Sequence, residues 1–512
     1  MMRVEIMDTT LRDGEQTQGV SYTPLEKLHL AKLLLHEVKV DRIEISSARV
    51  SEGEFDAIKL ISGWASQNNL LNKVEVLGFV DGDLSLNWIS NAGAQVLNLL
   101  CKGSRRHVEK QLRKTPEEHV SDIKDLIRRA DSMNIIVNIY LEDWSNGMIN
   151  SEDYVMFMLD SLKEEKIARF MLPDTLGILN PDQTFLFCRK IVDKYPDLHF
   201  DFHAHNDYDL AVANVLAAIK AGVKGIHTTV NGLGERAGNA PLSSVTSAIK
   251  DHLKVRIGVN ESEITKVSKI VESFSGIRIP VNKPIIGENV FTQTSGIHAD
   301  GDSKDNLYYN DLLPERFGRK RKYALGKQSG KATIRKNLEE FGVDLNPESL
   351  AKVTQRVIEL GDKKENVTTE DLPYIISDVL GTEDINYKIF IKNYSLSLSL
   401  GLRPFASVKV EINGGAYEET SSGDGQYDAF MKALRKVYDS LNKDFPALID
   451  YSVAIPPGGK TDALVETVIT WDLNGKEFKT KGLDADQTES AIKATEKMLN
   501  LIEGFKEKQG TK

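Results

Sequence analysis

Eight times before about residue 280, the chain passes through a short β-branched, apolar stretch and then into a helical pattern. The strand-like stretches are residues 4–8, 42–46, 74–80, 96–101, 135–141, 170–173, 199–205 and 225–230. Helical spacing follows each; Leu25, Leu28, Leu33, Leu34 and Val38 share one face of the first helix. Repeated β-then-α units imply crossovers, and crossovers imply a parallel sheet. With eight units and no visible reversal of strand order, an α/β fold closed into a (β/α)8 TIM barrel is the economical architecture. An open doubly wound sheet is the alternative.

Pro280 and Pro284 punctuate the end of this region, so the barrel is expected to occupy residues 1–280. Residues 281–386 are polar, contain a basic stretch at 318–323, and show helical patterns at 332–341 and 350–361; they read as linker subdomains that complete an active site. Residues 387–512 look internally duplicated. The run from Ser407 to Gly414 leads into Gly423–Asp428 and a helix, and the run from Glu466 to Gly475 leads into Gly482–Gln487 and another helix. The expectation is an α+β module of two β-β-α units, (ββα)2. It carries no metal or nucleophile pattern, which suits a sensor or interaction domain.

The chain of 512 residues has a formal net charge of −10, which argues against nucleic acid or an anionic membrane as partner. Two cysteines, no signal peptide and no apolar run approaching ~20 residues point to a cytoplasmic protein.

In a TIM barrel the chemistry gathers at the C-terminal strand ends. Those ends carry Asp8, Arg12, Asp13, Glu44, Leu77, Leu100, Tyr140, Glu142, Thr175, His203, His205 and the segment 231–239. His203 and His205 stand at i and i+2 on a strand, so both rings project to one side and can converge on one ion. Asp13 after strand 1 supplies a carboxylate and Asn239 after strand 8 an amide oxygen. Barrel closure makes strands 1, 7 and 8 neighbours. Two imidazoles and two oxygens suit a divalent ion (zinc, manganese or magnesium) and leave positions open for a ligand. The glycines of 232–238 resemble a dinucleotide fingerprint but have the wrong spacing, and Gly326–Ala332 is too short for a P-loop.

Four motifs together resemble the DRE-TIM metallolyase family, and within it the 2-isopropylmalate, citramalate and homocitrate synthases. They are Asp8-Thr-Thr-Leu-Arg-Asp-Gly-Glu-Gln16, His203-Ala-His-Asn-Asp207, Asn231-Gly-Leu-Gly-Glu-Arg-Ala-Gly-Asn239 and Ser295-Gly-Ile-His298. One departure is Asp209, where many members have Gly. The resemblance implies a Claisen-type condensation of acetyl-CoA with a 2-oxo acid, then thioester hydrolysis, in a homodimer. It makes Arg12 the group that neutralises the developing alkoxide, Thr175 the ligand of the substrate carboxylate, and Glu142 the leading candidate base. His298 and Tyr308 would assist, and His298, Asp300, Asn306, Leu307 and Tyr308 would form a lobe over the partner subunit's site.

Leu77, Leu100 and Tyr140 are expected to line the substituent pocket. Three bulky walls leave room for a methyl, which resembles the pyruvate-using (R)-citramalate synthases more than the 2-oxoisovalerate-using isopropylmalate synthases. A distal carboxylate would need a cation there, which disfavours homocitrate synthase. A metabolite sensor without activity is the alternative from another class. In the C-terminal module, Leu448, Tyr451, Ile455, Thr461 and Val465 could line an amino-acid effector site, isoleucine for a citramalate synthase and leucine for an isopropylmalate synthase; their spacing equally suits core packing. The basic run Arg319–Lys322 could meet CoA phosphates or simply face solvent.

Overall fold

A computed structural model describes residues 3–340, 345–362, 389–454 and 465–509, with isolated positions between 367 and 379. Eight parallel strands close into a barrel in sequential order. They are β1 (Glu5–Asp8), β2 (Arg42–Ser47), β3 (Val74–Phe79), β4 (Val96–Lys102), β5 (Ile136–Glu142), β6 (Arg169–Asp174), β7 (Phe200–Ala204) and β8 (Gly225–Thr228). Pairing of Glu5 with Gly225 and of Asp8 with Thr228 closes the ring. The closed barrel is the observed architecture; the open sheet is not.

Side chains alternate across a strand with period two, so each barrel strand has an outer and an inner set. The outer set is apolar: Ile43 and Ile45, Val74 and Val76, Leu97 and Leu99, Val137 and Ile139, Phe170 and Leu172, Phe200 and Phe202 all join the main hydrophobic core beneath the helices. The inner set is polar to an unusual degree. Arg42, Glu44, Glu75, Asn98, Asn138, Asp201 and His227 are all buried there. Bonds between non-adjacent strands, such as Arg42 on β2 to Asp201 on β7, run across the lumen.

Three barrel helices begin with the same local device. Thr23-Pro24, Thr115-Pro116 and Asn180-Pro181 each place a capping oxygen before a proline whose φ already suits the first turn. In each, the residue at N3 (Glu26, Glu118 or Gln183) reaches back to the cap to complete a capping box.

The chain folds as two compact units, one of residues 1–293 and 304–322, the other of 294–303 and 323–512. The expected linker is therefore divided between them. Ile285, Ile286, Phe291 and Phe317 bury in the barrel's own core, which extends its unit past Pro280. Arg319 donates to the carbonyls of Ile285 and Gly287 at 2.8 Å and of Glu288 at 2.9 Å, and lies over the Phe291 ring. Its task is to tie this extension down, and Arg321 lies over the Tyr309 ring.

In the second unit, helices Lys331–Glu340 and Pro347–Asp362 pack through Ile334, Leu338, Leu350, Val353 and Val357. The C-terminal duplication is present, with one strand more per repeat than expected. The first repeat runs Ile389–Ser397, Phe405–Ile412, Gly415–Ser422 and helix Gln426–Ser440. The second runs Ala447–Ala454, Val465–Leu473, Lys476–Asp484 and helix Gln487–Gln509. The units are thus β-β-β-α rather than β-β-α. Each added strand carries an irregularity near its start, at Ile391/Asn393 and at Leu448/Asp450, and such a bulge breaks the period-two pattern that announces a strand. Both repeats contribute to a single apolar core, with Phe430, Tyr438, Trp471 and Met498 at its centre.

Replacing Thr115 with alanine removes a cap on an exposed helix start and should lower stability by about 1 kcal/mol. Urea unfolding should show this as a lower midpoint at unchanged slope.

Candidate metal centre and active site

The loop after β1 turns back on itself so that Thr10 Oγ1 accepts from the Val230 amide at 2.8 Å, drawing it toward the loop after β8. Asp13 is thereby brought beneath the end of β7. Its Oδ2 lies 3.4 Å from His203 Nε2, 3.9 Å from His205 Nε2 and 3.0 Å from Arg12. All three candidate ligands are buried, and their ligand atoms lie within 4.8 Å of one another.

Asn239 completes the group. Its Nδ2 donates to Asp13 Oδ1 and to the Leu233 carbonyl, both at 3.0 Å, which fixes the amide's orientation. Its Oδ1 is buried with no hydrogen-bond partner among the described residues. An orphaned buried acceptor costs free energy unless something satisfies it, and a hard cation would. Gly234 and Gly238 explain the glycines of this segment. A β-carbon at Gly234 would strike the Asn239 amide, and one at Gly238 would strike the Gly232 carbonyl, in backbone with φ of 152° and 83°. They let the loop fold tightly around the Asn239 amide.

The electrostatics suit a cation. Burial alone would raise the Asp13 carboxyl, but Arg12, His203, His205 and the Asn239 amide together hold it below the usual range. Burial depresses both histidines, His203 strongly, against the pull of Asp13. Neutral imidazoles and an ionised carboxylate are the forms that bind metal. The residues present fit a divalent ion.

Arg12 is held in place from the other side. Its Nε donates to Glu44 Oε2 at 2.7 Å, and the same oxygen accepts from Thr9 at 2.7 Å. Glu44 Oε1 accepts from Asn98, whose own oxygen accepts from Asn138, each at 2.8 Å. This inner chain escaped the sequence reading, although a signal was present: Asn98 and Asn138 interrupt apolar strand cores.

Leu77 and Tyr140 pack with Met7 and Met171 in a small apolar cluster separate from the main core, with Leu100 against it. The three expected pocket residues therefore do come together. The Tyr140 ring centroid is 5.8 Å from that of His203, and the Arg12 guanidinium is 5.9 Å from the Tyr140 centroid. Thr175 Oγ1 accepts from the Asp143 amide at 2.9 Å, which leaves its proton for another acceptor. Arg236 clasps both Asp207 oxygens, at 2.8 and 3.0 Å, and donates to the Thr175 carbonyl at 2.8 Å, joining the loops after β6, β7 and β8. Glu142 pairs with Lys102, its neighbour in register on β4. Asp209 has φ of 57°, left-handed backbone that glycine adopts without strain and aspartate tolerates.

Asn306, Leu307 and Tyr308 belong to the barrel's unit, where Asn306 is left-handed and Leu307 is exposed. His298 and Asp300 lie on the helix Gly296–Asp305, in the part assigned to the second unit. Of the expected effector residues, Tyr451 pairs with Ile469 and packs with its ring centroid 5.5 Å from that of Tyr427, tilted by 41°, Leu448 pairs with Trp471, and Val465 begins the next strand. Ile455 and Thr461 lie outside the described residues.

The profile of the HMGL-like family matches residues 3–271. The chain belongs to that family. Residues 285–365 match the homocitrate synthase post-HMGL domain-like family, and residues 366–503 the LeuA allosteric (dimerisation) domain. The grouping agrees with the four motifs. Among relatives of this HMGL-like chain, the (R)-citramalate synthase of Methanocaldococcus jannaschii is 34% identical over 506 residues, 98% of this chain and 100% of that protein. The 2-isopropylmalate synthase of the same organism is 33% identical over 517 residues, 99% of this chain and 96% of that protein. Overall identity does not separate the two substrates, so the pocket has to. Among the described residues no helix is long and apolar enough to cross a membrane.

Asp8, at the end of β1, is fully buried, and burial pushes its carboxyl up to about 7 against the hydrogen bond donated by the Thr10 amide. The unfolded chain would titrate it near 4. Folding therefore takes up a proton between about pH 4 and 7, and the stability this group contributes below pH 4 is lost as the pH rises through about 7. In Asp8→Asn the fall of stability across that window should be smaller than in the parent, as read by urea unfolding at a series of pH values.

Proposed function

We propose that this HMGL-like protein is an (R)-citramalate synthase, which joins acetyl-CoA to pyruvate and hydrolyses the thioester to give (R)-citramalate and CoA. It would serve isoleucine biosynthesis in the cytoplasm as a homodimer. The observation that carries this reading is the cluster of Leu77, Leu100 and Tyr140 beside Arg12 and His203. Filled volume excludes a branched substituent by overlap, whereas a lone methylene in a looser pocket changes binding by only ~1–3 kcal/mol.

A divalent ion held by Asp13, His203, His205 and Asn239 would supply a Lewis acid for the keto and carboxylate oxygens of the oxo acid. Thr175 donates its free hydroxyl proton to the substrate carboxylate. Arg12, held by Glu44 and Asp13, presents a fixed positive charge to the keto oxygen as it becomes an alkoxide. Glu142 accepts the proton from the acetyl methyl group; the resulting carbanion attacks the keto carbon, forming the new carbon–carbon bond. Lys102 orients Glu142 and balances its charge until acetyl-CoA enters. The alkoxide takes up a proton to become the product hydroxyl and Glu142 gives its proton up; water then cleaves the thioester, leaving the new carboxylate and CoA as the thiol. His298 and Tyr308 would assist from the partner subunit, with Asp300, Asn306 and Leu307 shaping the acetyl-CoA lobe; the exposure of Leu307 supports a partner there. The C-terminal module would bind isoleucine as feedback effector, through the faces bearing Leu448, Tyr451 and Val465.

Thiol release from acetyl-CoA, measured on the metal-loaded protein with pyruvate, 2-oxoisovalerate and 2-oxoglutarate in turn, tests the reading. Pyruvate should give the highest kcat/KM, and isoleucine should inhibit. Preference for 2-oxoisovalerate with inhibition by leucine would make it an isopropylmalate synthase, and silence with every oxo acid a sensor. Glu142→Ala should lower kcat by about 10²–10⁴-fold, and an unchanged rate would remove Glu142 from its role.

A further inference from the structure

Tyr140 has a hydroxyl that the pocket does not need. A phenylalanine would fill the same space with no polar atom to satisfy. Instead the hydroxyl meets His227 Nδ1 at 2.9 Å, and the His227 ring centroid lies 5.5 Å from that of His203. The other nitrogen of that ring, Nε2, meets Asp201 Oδ2 at 3.1 Å. Asp201 is fixed in turn by Arg42 at 2.5 Å and by His199 at 3.0 Å, and Arg42 by Glu75 at 2.8 Å. The chain crosses the lumen from β5 through β8 and β7 to β2 and β3, and every link but His199 is at most 3% exposed.

Room has been made for it. A β-carbon at Gly225 would collide with the Asp201 carboxylate, so β8 can pass Asp201 only with glycine at that position. A buried polar chain with every member bonded is rigid, because each group's alternative is an unsatisfied one. The Tyr140 ring is thus anchored at its far end, while its faces look toward Arg12 and His203.

We infer that His227 and Asp201 are positioning residues that hold the Tyr140 ring across the substituent end of the oxo-acid site, and so set the largest 2-oxo acid the enzyme accepts. The inference rests on the reading of Leu77, Leu100 and Tyr140 as the substrate pocket. It differs from that reading in placing the limit on size in the anchor of the ring as well as in the bulk of the walls. Without the anchor, the ring can swing about its side-chain torsions and admit one more carbon.

The test compares pyruvate with 2-oxobutyrate, one methylene larger, as kcat/KM and as calorimetric Kd on the metal-loaded enzyme. His227→Leu should lower the pyruvate preference about tenfold, mostly through the larger substrate. Tyr140→Phe, which leaves His227, Asp201 and Arg42 in place, should lower it to a similar degree. The double variant should lose no more than either alone, because both remove the same link. An unchanged preference in Tyr140→Phe, or losses that multiply in the double variant, would overturn the inference. So would equal losses for both oxo acids in both variants. If the parent enzyme prefers 2-oxoisovalerate, the pyruvate reading fails. The ring anchor is then judged by the same ratio, taken between 2-oxoisovalerate and its next larger branched homologue.

Discussion

Closing eight strands into a ring sends every second residue of each strand into a lumen too narrow for bulk water. In this protein that space holds Arg42, Glu75, Asp201, Glu44 and His227 rather than a stack of aliphatic side chains. Removing one partner from a buried ion pair costs about 3–5 kcal/mol, so each charged group here must find its counterpart on a neighbouring strand or across the lumen. Arg42 answers both Glu75 and Asp201, and Glu44 answers Arg12. The pairing rules out alternative strand registers, since a slip of one residue would bury every charge against an aliphatic neighbour. The positions of Arg12 and Tyr140 follow from it.

Two such chains approach the candidate metal centre. One comes through Asn138, Asn98 and Glu44 and ends on Arg12, whose charge is aimed by a carboxylate on one side and Asp13 on the other. The second comes through Arg42, Asp201 and His227 and ends on Tyr140. Between them lie the apolar cluster and the two histidines. Arg42, Glu75 and Asp201 pair near the starts of their strands, whereas Asp13, His203 and His205 gather at the strand ends. Mouth residues such as Glu142 and Thr175 sit on loops and strand ends, where they remain accessible to large substrates.

The strands were legible because β-branched runs and period-two burial are local properties, and all eight fall within about two residues of the expected spans. The gathering of Asp13, His203, His205 and Asn239 was legible from motif and strand order, and Asn239 Oδ1 is buried without a hydrogen-bond partner among the described residues. The lumen chains were not, since Arg42 and Asp201 are 159 residues apart and nothing local announces their pairing. Lone polar residues inside apolar strands were the available clue. The first strand of each C-terminal repeat was lost to its bulge. The barrel's extension past Pro280 was hidden because a proline-rich turn looks the same whether the chain leaves the domain or, as at Ile285 and Phe291, returns to its core.

The bond between Asp13 and Asn239 joins residues 226 apart in the chain. Strand β1 emerges first from the ribosome and its lateral partner β8 emerges last of the eight. At about 5–20 residues per second that interval is roughly 10–45 s. Throughout it the Asp13 carboxylate has neither the Asn239 amide nor the closed ring around it. The bond between Asp13 and Asn239 therefore forms only at ring closure, and a nascent chain stalled before β8 would leave Asp13 without that partner however complete its first strands.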